Sequence, residues 1–140
     1  MPIVKHEQVV DVPLEVVWAV VKDFSDFLRW AKIPGEIEGE GIGMIRHMDT
    51  PDMGKWAEKL DIADNATKTY GYTLVYGEPI GMAKYTARVR LEPGDTGHTN
   101  LVWRGEFEPG DGHDADAVAA MLKGAYGNMS SGIEAEAKKQ

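Results

Sequence analysis

The 140-residue chain contains no cysteine. That absence excludes a disulfide framework, a thiol nucleophile, a thiolate-held metal and an iron–sulfur cluster. The chain also lacks any hydrophobic run near the roughly 18–20 residues that cross a bilayer. Its first segment, Met1 to Val12, carries Lys5, His6, Glu7 and Asp11, so there is no apolar signal core and a cytoplasmic location is expected. Positive charge is in short supply: 15 Lys and Arg stand against 23 Asp and Glu, a formal net charge of −8. Nucleic acid and anionic membranes repel such a chain at long range, and neither is expected as a partner. The histidines are scattered, without a ligand spacing such as His-Glu-x-x-His, so no metal or other cofactor is expected. Gly39-x-Gly41-x-Gly43 lacks both the spacing and the following helix of a phosphate-binding loop, and reads as a hairpin turn.

What is present describes an ordinary globule, 43% hydrophobic and 27% charged. Its length predicts one domain over residues 1–140, large enough to bury a core unaided. A first strand, Ile3 to Val12, runs to Pro13. Leu14, Val17, Trp18, Val20, Val21 and Phe24 then follow at helical spacing, with Trp18 expected to pack that helix onto a sheet. A second short helix is expected over Ser25 to Ala31, capped by Ser25.

Beyond Pro34-Gly35 the period changes to two, the mark of half-buried antiparallel strands. Trp56, Glu58, Leu60 and Ile62 fall on one face, as do Tyr70, Tyr72, Leu74 and Tyr76 in the next strand. Tyr85, Ala87, Val89 and Leu91 share a face, and so do Leu101, Trp103, Gly105 and Phe107. From Asp114 the chain is helical, with a stripe of Val118, Met121, Leu122, Ala125, Tyr126, Met129 and Ile133. A one-faced sheet and a one-striped helix bury each other best when the sheet curves around the helix. The expected fold is α+β, with six to seven antiparallel strands around a long C-terminal helix.

Parity places two opposite charges on the apolar side: Glu58 beside Trp56 and Leu60, and Arg46 beside Met44 and Met48. Buried charges are costly unless paired, so the two should meet. Tyr85 faces the same interior. A carboxylate, a guanidinium and a phenol there can shuttle a proton and steady an oxyanion, which makes Glu58, Arg46 and Tyr85 the candidate catalytic residues. The same Arg–Glu pair also reads as a salt bridge that sets strand register, and both readings stand. Candidate ligand contacts are Met44, Trp56, Tyr70, Tyr72, Trp103, Met121, Ala125 and Met129. Gly124, Gly127 and Gly132 inside a helix suggest close approach or room for a ligand.

The order of elements resembles the START-like (SRPBCC) superfamily of polyketide cyclase/dehydrase-type proteins, which shares the birch-pollen-allergen fold. The resemblance rests on Val12-Pro13-Leu14-Glu15-Val16-Val17-Trp18, Asp23-Phe24, Glu38 to Arg46, Trp56-Ala57-Glu58-Lys59-Leu60, Tyr85 to Val89 and Leu101-Val102-Trp103. It implies a helix-grip fold with an internal apolar cavity, a small hydrophobic, lipid-like or aromatic molecule as partner, and no cofactor. Set against plant lachrymatory-factor synthases, the acid/base glutamate, the arginine and the tyrosine fall on Glu58, Arg46 and Tyr85. Isomerisation, dehydration or cyclisation would suit these groups. A non-catalytic carrier or sensor and a ligand-free interaction module remain alternatives, and a homodimer is left open.

Overall fold

Alternating apolar and polar residues, interrupted by Gly- and Pro-bearing turns, make each strand pair with the next in an antiparallel sense. The computed structural model describes residues 1–140. Strand β1 (Ile3–Val10) leads into α1 (Leu14–Val21), then a single 3-10 turn (Phe24–Asp26) and the one-turn helix α2 (Phe27–Trp30). Six strands follow: β2 (Gly35–Glu38), β3 (Ile45–Thr50), β4 (Gly54–Asp64), β5 (Thr69–Tyr76), β6 (Met82–Pro93) and β7 (Thr99–Pro109). The chain ends in α3 (Ala115–Ala137). The sheet order is β1-β7-β6-β5-β4-β3-β2, antiparallel throughout, and α3 lies in its curve. This is the helix-grip arrangement that the resemblance implied.

Helix α3 begins where Asp114 accepts a hydrogen bond from the Ala117 N–H at 3.0 Å, satisfying one of the otherwise unpaired first-turn donors. Val118, Leu122, Tyr126, Ser130, Ile133 and Ala137 form its buried face. Tyr126 stacks on Trp103 of β7 at 4.7 Å between ring centres. Trp103 donates its indole N–H to Ser130 at 2.8 Å, so a buried polar group on each element is satisfied by the other. Helix α1 buries Val17, Trp18, Val20 and Val21, and Trp18 donates to Asn65 in the β4–β5 turn at 2.7 Å. Ser25 is not a helix cap. It sits within the 3-10 turn and donates to Asp23 instead.

Three one-residue bulges break the two-residue alternation and re-aim side chains. Ala57 pairs with Tyr76 while Glu58 pairs with Leu74, so Val75 is an extra residue in β5. Tyr76 therefore leaves the inner face of Tyr70 and Tyr72 and lies 43% exposed on the outside. Leu60 pairs with Tyr72 and Ile62 with Gly71, which makes Asp61 the extra residue of β4 and turns Ile62 away from Leu60's face. In β6 the shift between Met82 and Lys84 brings Met82 inward, where it is buried. The bulges also bend the strands, which helps the sheet to curve around α3.

Candidate active and ligand-binding site

The cavity lies between the sheet and α3 and measures about 370 Å³. That is at the lower end of the roughly 300–1,000 Å³ typical of small-molecule sites. Its walls are mainly apolar: Phe27 and Trp30 from α2, Met48 and Trp56 from β3 and β4, and Met82 from β6. Helix α3 contributes Leu122, Ala125, Met129 and Gly132. Ile80, between β5 and β6, lines it with its backbone in the left-handed region (φ +48°), a conformation that costs a β-branched residue energy.

Unbroken register from Ile45↔Lys59 to Thr50↔Gly54 sets Arg46 directly opposite Glu58, both facing inward. Arg46 Nε and Nη2 donate to the same carboxylate oxygen, Glu58 Oε1, at 3.0 and 2.8 Å. Arg46 Nη1 donates to the Phe24 carbonyl at 3.3 Å. The guanidinium also packs against three rings, 3.9 Å from the centre of Phe24, 4.2 Å from Phe27 and 5.0 Å from Tyr72. Glu58 Oε2 accepts no hydrogen bond from the protein, yet no fully buried side-chain oxygen or nitrogen is without a partner. Oε2 therefore keeps accessible surface, and since Glu58 lines the cavity, that surface opens into it.

Beside this pair runs a chain of phenols. Tyr85 Oη lies 3.3 Å from Tyr72 Oη and 2.6 Å from Tyr126 Oη. Burial raises the pKa of Tyr72, Tyr85 and Tyr126 above the ordinary phenol value, and the Glu58 charge pushes each further in the same direction. The three therefore stay protonated at neutral pH and remain hydrogen-bond donors. Gly105 makes the chain possible: a Cβ at that position would lie 2.1 Å from Tyr126 Oη and 3.1 Å from the Tyr85 ring.

Charge ties α2 to the end of α3. Arg29 of α2 bridges Asp26, at 2.8 Å, and Glu136 near the end of α3, at 2.5 Å. Those contacts hold both carboxyls below their ordinary range, with the Arg29 hydrogen bond the leading cause in each. The latch sits on the same short helix as Phe27 and Trp30, which line the cavity.

Of the residues singled out from sequence, the structure gathers Glu58, Arg46, Tyr85, Trp56, Tyr72, Ala125 and Met129 around this one cavity. The other four lie elsewhere. Met121 is 49% exposed, because at its level of α3 the neighbouring Leu122 faces the cavity and Met121 is turned about 100° away from it. Met44 precedes β3 and packs on the core, outside the cavity wall. Trp103 and Tyr70 belong to the solid core, Trp103 stacked on Tyr126 and Tyr70 edge-on to Trp103. Of the three helical glycines only Gly132 reaches the cavity, where a Cβ would sit 3.0 Å from Trp30; Gly127 faces His6, and Gly124 has nothing within 4 Å. Sequence reasoning missed Tyr126 as a polar contributor, and Phe27, Trp30, Met53, Ile80, Met82 and Asn128 as wall. Met82 had no signal, since a bulge reversed its parity; Phe27 and Trp30 had one, as apolar residues three apart on a short helix.

Solved structures with this fold include norcoclaurine synthase from Thalictrum flavum, in complex with dopamine and hydroxybenzaldehyde. It is 17% identical, with a TM-score of 0.79 over 99% of this chain and 87% of that one. Ara h 8.0201 is 24% identical, with a TM-score of 0.76 over 99% of each chain. A protein from Nitrosospira multiformis is 25% identical, with a TM-score of 0.77 over 96% of this chain and 95% of that one. No curated protein sequence matches, and no helix is long and apolar enough to cross a membrane. The helix-grip architecture and its hydrophobic cavity agree with the sequence match that runs from residue 1 to 138, by which the chain belongs to the family described as polyketide cyclase / dehydrase and lipid transport.

Proposed function

We propose that the protein binds a small apolar or aromatic molecule in this cavity and transfers a proton on it through Glu58. The observation that carries the reading is Glu58 itself: a buried carboxylate with one oxygen fixed by Arg46 and the other open to an apolar cavity. A general base needs that combination of fixed orientation and a free lone pair within reach of the reacting atom. Arg46 acts as its orienter, because its donors go to Glu58 Oε1 and the Phe24 carbonyl. Tyr85, kept protonated by burial, donates a hydrogen bond to an oxygen on which charge develops. Isomerisation, dehydration and cyclisation all suit this set, and each proceeds by proton transfer without a redox partner. Norcoclaurine synthase, seen with an aromatic amine and an aromatic aldehyde, supports the reading only as another user of the fold.

Native mass spectrometry of the purified protein, with extraction of any compound it carries, tests binding first. Incubating that compound with the protein tests turnover. Glu58→Gln protein that remains folded should bind the compound and lose about 10²–10⁴-fold in rate. Full turnover by that variant removes the catalytic role. A compound that is bound and always returned unchanged favours the carrier reading, which the transport half of the family description supports.

A further inference from the structure

We infer that the polar end of the ligand is a neutral hydroxyl, phenolic or enolic, and that the cavity discriminates against carboxylic acids of the same shape; this rests on the ligand-binding reading above. Both members of the ion pair line the cavity. Arg46 and Glu58 together are neutral, but the arrangement is lopsided. Arg46 turns Nε and Nη2 to Glu58 Oε1 and Nη1 to the Phe24 carbonyl, with aromatic rings packed against the guanidinium. Glu58 Oε2 is left without a protein partner, on a side chain only 9% exposed, and two of the five Arg46 N–H groups are left as well, on a side chain 5% exposed. The buried pair therefore offers the ligand an open acceptor on Glu58, beside a guanidinium whose charge that same carboxylate already offsets.

The second polar feature is the phenol chain. Tyr72, Tyr85 and Tyr126 hold three hydroxyl protons but make two contacts with one another, so one proton is left over. Tyr72 and Tyr85 line the cavity, and Tyr126 does not. A ligand hydroxyl answers both features at once, giving its proton to Glu58 Oε2 and accepting from a cavity-facing phenol. A ligand carboxylate can accept from the phenol or from a remaining Arg46 N–H, but it gives Oε2 no proton and sets a second negative charge beside it in an apolar enclosure, where like charges repel strongly. A plain hydrocarbon leaves Oε2 desolvated and unpaired, which is also unfavourable.

The test uses one skeleton with different polar ends: naphthalene, 2-naphthol, 2-naphthylmethylamine and 2-naphthoic acid, each titrated at pH 7 by tryptophan fluorescence and calorimetry. Wild-type protein should bind 2-naphthol about tenfold or more tightly than either 2-naphthoate or naphthalene. Glu58→Gln replaces the open acceptor with an N–H donor once Arg46 holds the amide oxygen, so the ranking of naphthol and naphthoate should narrow or reverse. If that variant fails to fold, the wild-type ranking still decides the matter. Naphthoate binding as tightly as naphthol overturns the inference while leaving the cavity reading intact, and so does the ammonium probe outbinding naphthol. Failure of all four probes to bind overturns the cavity reading, and this inference with it.

Discussion

Arg46 and His47 are adjacent in the chain and begin two clusters built from the same kinds of group. On the inner face Arg46 meets the carboxylate of Glu58, with Tyr72 beside it. On the outer face His47 lies 2.9 Å from Glu38 Oε1 and 2.8 Å from the Tyr76 hydroxyl. Distances are alike; surroundings are not. The side chains of Arg46 and Glu58 are 5% and 9% exposed, whereas those of His47 and Glu38 are 32% and 68% exposed. Water and salt weaken the outer contacts and can replace either partner when the other is lost. Nothing replaces the inner ones. The difference teaches that burial, more than contact geometry, decides which of two similar clusters the fold and the ligand depend on.

The strongest way to break this comparison is to remove one inner charge. Arg46→Met should cost about 3–5 kcal/mol by leaving Glu58 buried without its partner. Adding Glu58→Leu should recover most of that loss, because a pair of apolar residues leaves no charge stranded. Denaturant unfolding of the two proteins measures both, and an Arg46→Met loss below about 1 kcal/mol would place the inner pair with surface pairs.

Next in size is Gly105→Ala, whose methyl group would enter the space of the Tyr126 hydroxyl. Overpacking of this kind costs about 1–3 kcal/mol. Combining it with Tyr126→Phe removes the clashing oxygen, so the double-mutant cycle should show a favourable coupling. Strict additivity would mean that the phenol chain is looser than its distances imply.

The Arg29 cluster that ties α2 to α3 offers an intermediate case. Asp26 and Glu136 have their pKa values lowered by Arg29, so their contribution is present above the ordinary carboxylate range and is lost as pH falls through the lowered values. Acid should therefore loosen the latch between α2 and α3, and Arg29→Ala should flatten that part of the stability–pH curve. Thermal melts from neutral to strongly acidic pH give both curves, and identical acid limbs would dismiss the latch.

The smallest effect belongs to the outer cluster. His47→Ala and Tyr76→Phe should each change stability by no more than about 0.5 kcal/mol. A loss above about 2 kcal/mol in either would sharpen the comparison in the other direction, by showing that the outer face carries a contact of the inner kind.

Much of this was legible in the sequence, and the limits have identifiable causes. Two-residue alternation put Arg46 and Glu58 inside because β3 and β4 pair without a slip from Ile45 to Thr50. It failed for Ile62, Tyr76 and Met82, each of which lies beyond an extra residue that reverses parity. A bulge carries little sequence signature of its own; it is visible only once the partner strand is known. The helical stripe placed Tyr126 inside, but its role in the site depends on Tyr85 and Gly105, which are far away in sequence and supplied by two different strands. Met121 shares spacing with Ala125 and Met129 and still faces water, since it sits at the edge of the stripe and at its level Leu122 takes the inward place.

The extra residue Val75 has a consequence for how such a site changes over generations. Pairing through a bulge means that inside and outside on β5 are assigned by count, one residue at a time. Loss of the single codon for Val75 would restore simple alternation at that point and leave Tyr76 opposite Ala57, still on the outer face, while the same loss elsewhere in β5 would reverse every residue beyond it. A point substitution adjusts one wall position, whereas a one-residue insertion or deletion in a regularly paired stretch exchanges the lining of the strand end, and the bulge is the one place that absorbs it. Variation in ligand preference among chains with this architecture is therefore to be sought in strand lengths as well as in residue identities.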